Sequence, residues 1–258
     1  MNVDASRILG IIPARYNSTR LKGKPLEIIG DKPMIQHVYE SCKPIINELV
    51  VATDDNRIFQ TVESFGGNAV ITSEYHETGT NRCKEAHEKW SSQIQKKFDY
   101  IINIQGDEPL ISTQHLTELI NCFKDDKTTI ATLALELNAK DKLKEGKVYL
   151  TKDINNFALY FSRFPIPYLR DISKDKWTSY HSYYQHIGIY GFSANALKDF
   201  CKLNVSSLEK SEKLEQLRWL EDGKKIKVGI TSIPSYPVDT IDDLKKVRRL
   251  YKSKHDIL

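Results

Sequence analysis

Residues 8–26 read ILGIIPARYNSTRLKGKPL, and the order of their properties decides the architecture. Ile8 to Ile12 is a short apolar run that stops at Pro13, the mark of a short strand. It opens into a loop with four basic side chains in ten residues, Arg15, Arg20, Lys22 and Lys24. Beyond the loop Ile35, Val38, Tyr39 and Cys42 recur at helical spacing, and Pro33 suits the first turn because the amide it lacks has no partner there. The same strand, loop and helix unit then repeats. LVVAT (49–53) is a second apolar run. Asp54 or Asp55 is placed to cap a helix with the stripe Ile58, Val62 and Phe65, which Gly66-Gly67 stops. AVIT (69–72) leads into the polar loop SEYHETGTNR (73–82) and another helical stretch. YIINI (100–104) ends in QGDEPL, and Ser112 begins a helix carrying Leu116, Leu119, Ile120 and Phe123. Alternation of this kind over residues 8–123 predicts a parallel sheet with helices packed on it.

The pattern changes after residue 123. TTIATLALEL (128–137), GKVYLT (146–151), NFALYFS (156–162) and HIGIYGF (186–192) are strand-like, with one short helix (194–200) before residue 206. Leu214, Leu217 and Leu220 mark a helix ending near Gly223, IKVGIT (226–231) is a further strand, and Asp239-Thr240 caps a last basic helix. No repeat and no Gly-, Ser- or Pro-rich linker separates independent domains.

With 258 residues, 40% of them hydrophobic and 28% charged, the chain is neither disordered nor a small disulfide scaffold. The net charge of +4 is spread along the length, so nucleic acid is not expected as a partner. MNVDASR lacks an apolar signal core and no stretch approaches the roughly 20 apolar residues of a membrane span, so a cytoplasmic location without membrane contact is expected. Cys42, Cys83, Cys122 and Cys201 fit neither a zinc knuckle nor a CxxC pair and read as reduced, partly buried small side chains.

In an open parallel sheet the ligand lies beyond the carboxyl ends of the strands, so the loops after Ile12, Thr53, Thr72 and Ile104 should converge on one crevice. The first offers Arg15, Arg20, Lys22 and Lys24 beside Ser18, Thr19 and Gly23, suited to a polyanion such as a triphosphate; it is not a Walker loop, since Pro25 follows Gly23-Lys24. Asp107 and Glu108 either hold a divalent cation or start the turn before Pro109. Asp239 either completes the cation site or caps the helix, and the two are compatible only if one side chain does both jobs or Thr240 does the capping. Arg163 and Arg170 bracket FPIPYL, while His186 and Tyr190 share one strand face; together they can clasp an acidic substrate or serve the structure alone. By spacing alone Glu215, Gln216 and Arg218 are surface residues of an amphipathic helix.

IIPARYNSTRLKGKPL, HETGTNR, INIQGDEPLI, FALYFSRFPIP, HIGIYGF, KLEQLR and VDTIDDL, in this order and nearly from end to end, resemble the 3-deoxy-manno-octulosonate cytidylyltransferases, or CMP-Kdo synthetases. The resemblance implies an α/β fold: a nucleotide-diphospho-sugar transferase-like sandwich with a mostly parallel central sheet and a smaller β-rich sugar-binding and dimerisation part. It implies one cytidylyltransferase domain over 1–258, with a CTP half to about residue 130 and a sugar half from about 131 that includes the terminal helix. It implies transfer of CMP from CTP to the acid sugar Kdo for lipopolysaccharide biosynthesis, in a cytoplasmic homodimer. The alternatives are activation of a related acid sugar, of 8-amino-Kdo or sialic-acid type, or a non-catalytic relative. Carried over by position, the resemblance assigns Arg15, Ser18, Arg20 and Lys24 to the CTP phosphates, with Arg15 and Lys24 also catalytic, and Arg82 and Gln105 to the nucleoside. Asp107 and Asp239 become ligands of Mg2+, and Arg163, Arg170, His186, Tyr190, Glu215 and Gln216 face the sugar acid.

Overall fold

The computed structural model describes residues 3–17 and 20–255. The chain divides into two compact units, Asp4–Thr117 together with Ser235 onward, and Glu118–Pro234. The first contains β1 (Ile8–Ala14), the two-residue strands β2 (Ile28–Ile29) and β3 (Lys32–Pro33), α1 (Met34–Cys42), β4 (Glu48–Thr53), α2 (Asn56–Ser64), β5 (Ala69–Ile71), α3 (Gly79–Gln93), β6 (Tyr100–Asn103) and most of α4 (Thr113–Asn121). Strands β6, β1, β4 and β5 lie side by side in that order, all parallel, as the alternation requires. Every residue of β1 except Pro13 is buried, and the α1 stripe Ile35, Val38, Tyr39 and Cys42 lies in the core. Gly66 ends α2 in the left-handed region at φ 75, where its amide and that of Gly67 bond the carbonyls of Glu63 and Val62.

The second unit holds β7 (Ile130–Leu137), β8 (Tyr149–Lys152), β9 (Ala158–Ser162), α5 (Trp177–Tyr180), β10 (Tyr183–Ser193), α6 (Ala194–Phe200), α7 (Ser207–Glu212), α8 (Leu217–Glu221) and β11 (Lys227–Thr231). Its sheet is mixed: β7 pairs with β11 in parallel and with β10 antiparallel, and β8 and β9 continue antiparallel from β10.

The division differs from the expected halves at two places, the first being the boundary itself, which falls between Thr117 and Glu118 and not near residue 130. The last helix, α9 (Ile241–His255), belongs to the first unit and not to the sugar half, because Val238, Leu244 and Val247 pack with Ile29 and Met34 in one buried cluster. Among the described residues no helix is long and apolar enough to cross a membrane. The four cysteines are free, three of them buried, and burial pushes the Cys42 thiol up to about 12.

Candidate active site

The carboxyl ends of the first unit's strands open on a cleft. Arg15, Arg20, Lys24, Arg82, Gln105, Asp107 and Asp239 all line it. Ser18, the remaining residue assigned to CTP, lies outside the described residues.

Lys24 sits at the centre of the charges. Its Nζ donates to Asp107 Oδ2 at 2.6 Å and to the Val238 carbonyl at 2.8 Å, and lies 3.5 Å from Asp239 Oδ1. Arg20 reaches that same Asp239 oxygen at 2.9 Å. The loop delivers Lys24 there by folding back on itself: the Gly23 amide donates to the Tyr16 carbonyl at 2.9 Å, with Gly23 left-handed at φ 70. The Tyr16 ring is covered by the Arg57 guanidinium at 3.3 Å, and Asp55 holds Arg57 in turn.

Backbone contacts bring the two aspartates together. The buried Val238 donates its amide to the Asp107 carbonyl at 2.9 Å, and Ser235 Oγ donates to Glu108. Glu108 thus ties down the segment before α9 and, unlike Asp107, does not line the cleft. Asp239 is not the helix cap. Thr240 Oγ1 accepts from the Asp243 amide while Asp243 accepts from the amides of Asp239 and Thr240, leaving the Asp239 carboxylate to the cleft. Capping at α2 sorts in the same way: Asp55 accepts from the Arg57 amide, and Asp54 pairs with Arg82.

Gly106 makes this approach possible. A Cβ there would stand 2.8 Å from the Pro13 carbonyl oxygen, a backbone atom that cannot swing aside. Gly106→Ala is expected to cost about 1–3 kcal/mol of stability and to push Asp107 away from Lys24. Urea unfolding with activity assays checks this; a variant with parental stability and rate would show that the loop gives way freely.

Arg82, 4% exposed, donates to Thr72 Oγ1 at 2.6 Å and to Asp54 Oδ2 at 2.7 Å, so its guanidinium is fixed at the cleft wall by the ends of two strands. His76, Glu77, Thr78 and Gly79 also line the cleft. Spacing pointed to their loop without giving any of them a role. His76 pairs with Glu85, which also accepts from the Ser73 amide and pairs with Lys89. Against the upward push of burial, these partners bring the Glu85 carboxyl down to about 2.

The sugar-side residues lie in the second unit. His186 stands opposite Ala134 and Tyr190 opposite Thr132, with a bulge between them that takes up two residues and keeps both on one face. Their rings are 5.4 Å apart. Thr132 Oγ1 donates to the Ile189 carbonyl at 2.8 Å and so accepts from His186 Nε2 at 2.9 Å, leaving Nδ1 as an acceptor. His186 keeps part of its surface open but lies deep, and burial holds its imidazole down at about 3. Burial first, then the charge of Glu215, raises the Tyr190 hydroxyl well above its usual value. The surface reading of KLEQLR is corrected: Gln216 and Arg218 are 7% and 5% exposed, since Arg218 pairs with Glu209 of α7. Gln216 Nε2 is buried with no hydrogen-bond partner among the described residues, as a group awaiting a ligand would be.

The two arginines differ from the expectation of a joint clasp. Arg163 donates to the carbonyls of Glu212 and Lys213 at 2.7 and 3.1 Å, holding the end of α7. Arg170 is 90% exposed, with its neighbour Asp171 at 3.5 Å.

Because His186 is held neutral when folded but titrates near 6.5 when unfolded, its contribution is present above about pH 6.5 and is lost as pH falls towards 3. His186→Gln is expected to remove about 1 kcal/mol or more of the stability lost between pH 7 and 4. Urea unfolding at several pH values measures it, and identical pH profiles for parent and variant would count against a buried neutral imidazole.

A basic loop after the first strand faces Asp107 beyond β6 and Asp239 just before α9, an arrangement suited to an α/β nucleotidyltransferase. The family model described as Cytidylyltransferase matches residues 9–226. The chain belongs to the 3-deoxy-manno-octulosonate cytidylyltransferases. It is 45% identical over 254 residues to the protein of that name from Phocaeicola vulgatus, covering 96% of this chain and 98% of the relative. It is 47% identical over 247 residues to that of Parabacteroides distasonis, covering 93% and 96%. A solved structure of CMP:2-keto-3-deoxy-manno-octonic acid synthetase complexed with CTP superposes with a TM-score of 0.86 at 38% identity, over 96% of this chain and 99% of that one. A putative glucose-1-phosphate thymidylyltransferase from Bacillus anthracis, at 14% identity and TM-score 0.62 over 95% of both chains, shares the fold.

Proposed function

We propose that this chain transfers CMP from CTP to the anomeric hydroxyl of 3-deoxy-D-manno-octulosonate, giving CMP-Kdo and pyrophosphate. The observation that carries the reading is the meeting of Arg15, Arg20 and Lys24 with Asp107 and Asp239 in one cleft. The sugar oxygen attacks the α-phosphorus in line, the bond to pyrophosphate breaks, and the hydroxyl proton is released. Such a reaction asks the protein for position and charge, not for a nucleophilic side chain. Arg15, Arg20 and Lys24 neutralise the triphosphate, and Arg82 and Gln105 hold the nucleoside. In the second unit His186 Nδ1 accepts from a sugar hydroxyl, Tyr190, Glu215 and Gln216 complete the sugar's partners, and Arg163 or Arg170 pairs with its carboxylate.

Asp107 and Asp239 converge on one point of the cleft, now marked by the Lys24 ammonium, and carboxylate oxygens are the donors magnesium takes. No group of three or more His, Cys, Asp or Glu side chains forms a metal cage among the described residues, so Asp107 and Asp239 would hold the ion together with phosphate oxygens and water. When bound, magnesium would supply charge neutralisation at the phosphates and lower the pKa of the attacking hydroxyl. The working form is a cytoplasmic homodimer serving lipopolysaccharide biosynthesis, and the exposed apolar side chains Leu159, Phe164 and Tyr168 are available for a second copy to cover.

The test is a pyrophosphate-release screen of four nucleoside triphosphates against Kdo, 8-amino-Kdo, a sialic acid and a neutral hexose phosphate. Release is expected from CTP with Kdo and magnesium. Equal release with another nucleotide, or with the neutral sugar, would refute the reading.

A further inference from the structure

The Lys24 ammonium occupies the very position, between Asp107 and Asp239, at which the proposed metal would bind. Two of its donors are hydrogen-bonded on this side of the cleft, to Asp107 Oδ2 and the Val238 carbonyl, and Asp239 Oδ1 stands 3.5 Å away as an ion-pair partner. Its two hydrogen bonds and its charge are directed at the aspartate side of the cleft while this arrangement lasts. Lys24 is also only 12% exposed, so its charge is weakly screened by water. Arg20 on Asp239 brings the group to two cations on two carboxylates. A divalent ion entering beside them would meet an ammonium at contact distance and an Asp107 oxygen already engaged, whereas magnesium needs its oxygens at about 2.1 Å in a regular shell.

We infer that Lys24 is an internal counter-ion that keeps the two-aspartate position closed to metal until a triphosphate offers its ammonium other oxygens, so that metal and nucleotide are taken up together. Lys24 can play this part only if the cleft binds CTP and a metal as proposed above. The same lysine then has two successive partners: the aspartates in the free protein and the phosphates in the loaded one. Because binding free energies are reciprocal, whatever metal gains from CTP through this exchange, CTP gains from metal.

The inference predicts that removing a positive charge near the phosphates improves binding of metal to the nucleotide-free protein. Mn2+ is the probe, titrated by electron paramagnetic resonance into nucleotide-free parent, Lys24→Met and Lys24→Gln, with and without a CTP analogue carrying a methylene between the α- and β-phosphorus. Both variants are expected to bind Mn2+ at least tenfold more tightly than the parent in the absence of nucleotide, and to gain less from the analogue than the parent does. Lys24→Gln keeps a donor for the Val238 carbonyl and is read in its own right if Lys24→Met does not fold. A Lys24 variant binding nucleotide-free Mn2+ no more tightly than the parent, while the parent takes up Mn2+ with the analogue, overturns the counter-ion role alone. Failure of the parent to hold Mn2+ even with the analogue overturns the metal reading and the inference with it.

Discussion

Asp107→Ala and Asp239→Ala are each expected to lower turnover about a thousandfold at saturating CTP and Kdo, with little change in thermal stability. The size follows from what each carboxylate is asked to do. In a reaction whose transition state spreads charge over a phosphoryl group, losing one preorganised electrostatic group typically costs 10²–10³ in rate, and here each loss also halves the protein's share of the proposed metal site. The small effect on stability follows from the contacts. Without Asp107, Lys24 keeps the Val238 carbonyl and Asp239; without Asp239, the exposed Arg20 returns to water and Lys24 keeps its shorter bond. Asp107→Asn separates charge from shape, because it preserves the side-chain volume beside Lys24 while removing the anion. Steady-state rates across a magnesium titration, alongside melting curves, make the measurement. Either aspartate variant working at near-parental rate when magnesium is limiting would remove that residue from the site.

Which features the sequence displayed follows from the range of the interactions involved. The strand, loop and helix period was plain because each buried stripe is local, and the rule that ligands sit beyond the strand ends then pointed to Arg15, Arg20, Lys24 and Asp107, whereas Arg82 and Gln105 took their roles from the family resemblance and Asp239 was added as a second carboxylate from near the chain end. Choices between neighbours were not legible. Asp54 and Asp55 are both good caps, as are Asp239 and Thr240, and only the folded contacts give one of each pair to the helix and the other to the cleft. Bonds over long separations were invisible altogether. Lys24 meets partners 83 and 214 positions away, and nothing in the pattern of the loop distinguishes a phosphate-binding lysine from one already engaged by two aspartates. The burial of Gln216 and Arg218 was missed for a related reason: α8 is too short to show a period, and its partner Glu209 sits on a different helix.

Arg163→Ala and Arg170→Ala are expected to separate a structural arginine from a substrate-binding one. A sugar acid brings a carboxylate that must be neutralised, and truncating one partner of a buried charge pair costs about 2–5 kcal/mol, or about 30-fold and upward in affinity. Arg163 already has work in the free protein. Its Nε and Nη2 satisfy the Glu212 and Lys213 carbonyls at the end of α7, and Glu212 accepts from its amide and from Ser162 Oγ. Removing that side chain should therefore cost about 1 kcal/mol of stability whether or not sugar is present. Arg170 has its charge to give, since its only ion pair among the described residues is the loose one with Asp171. Arg170→Ala should leave stability within about 0.5 kcal/mol of the parent, as exposed substitutions generally do. Because an exposed ion pair contributes at most about 1 kcal/mol, it should raise the KM for Kdo up to about fivefold with the KM for CTP unchanged. Melting curves and substrate titrations with the other substrate saturating separate the outcomes. A raised KM for Kdo in Arg163→Ala alone would transfer the carboxylate to Arg163. Parental Kdo binding in both variants would take the acid group of the sugar away from this part of the second unit.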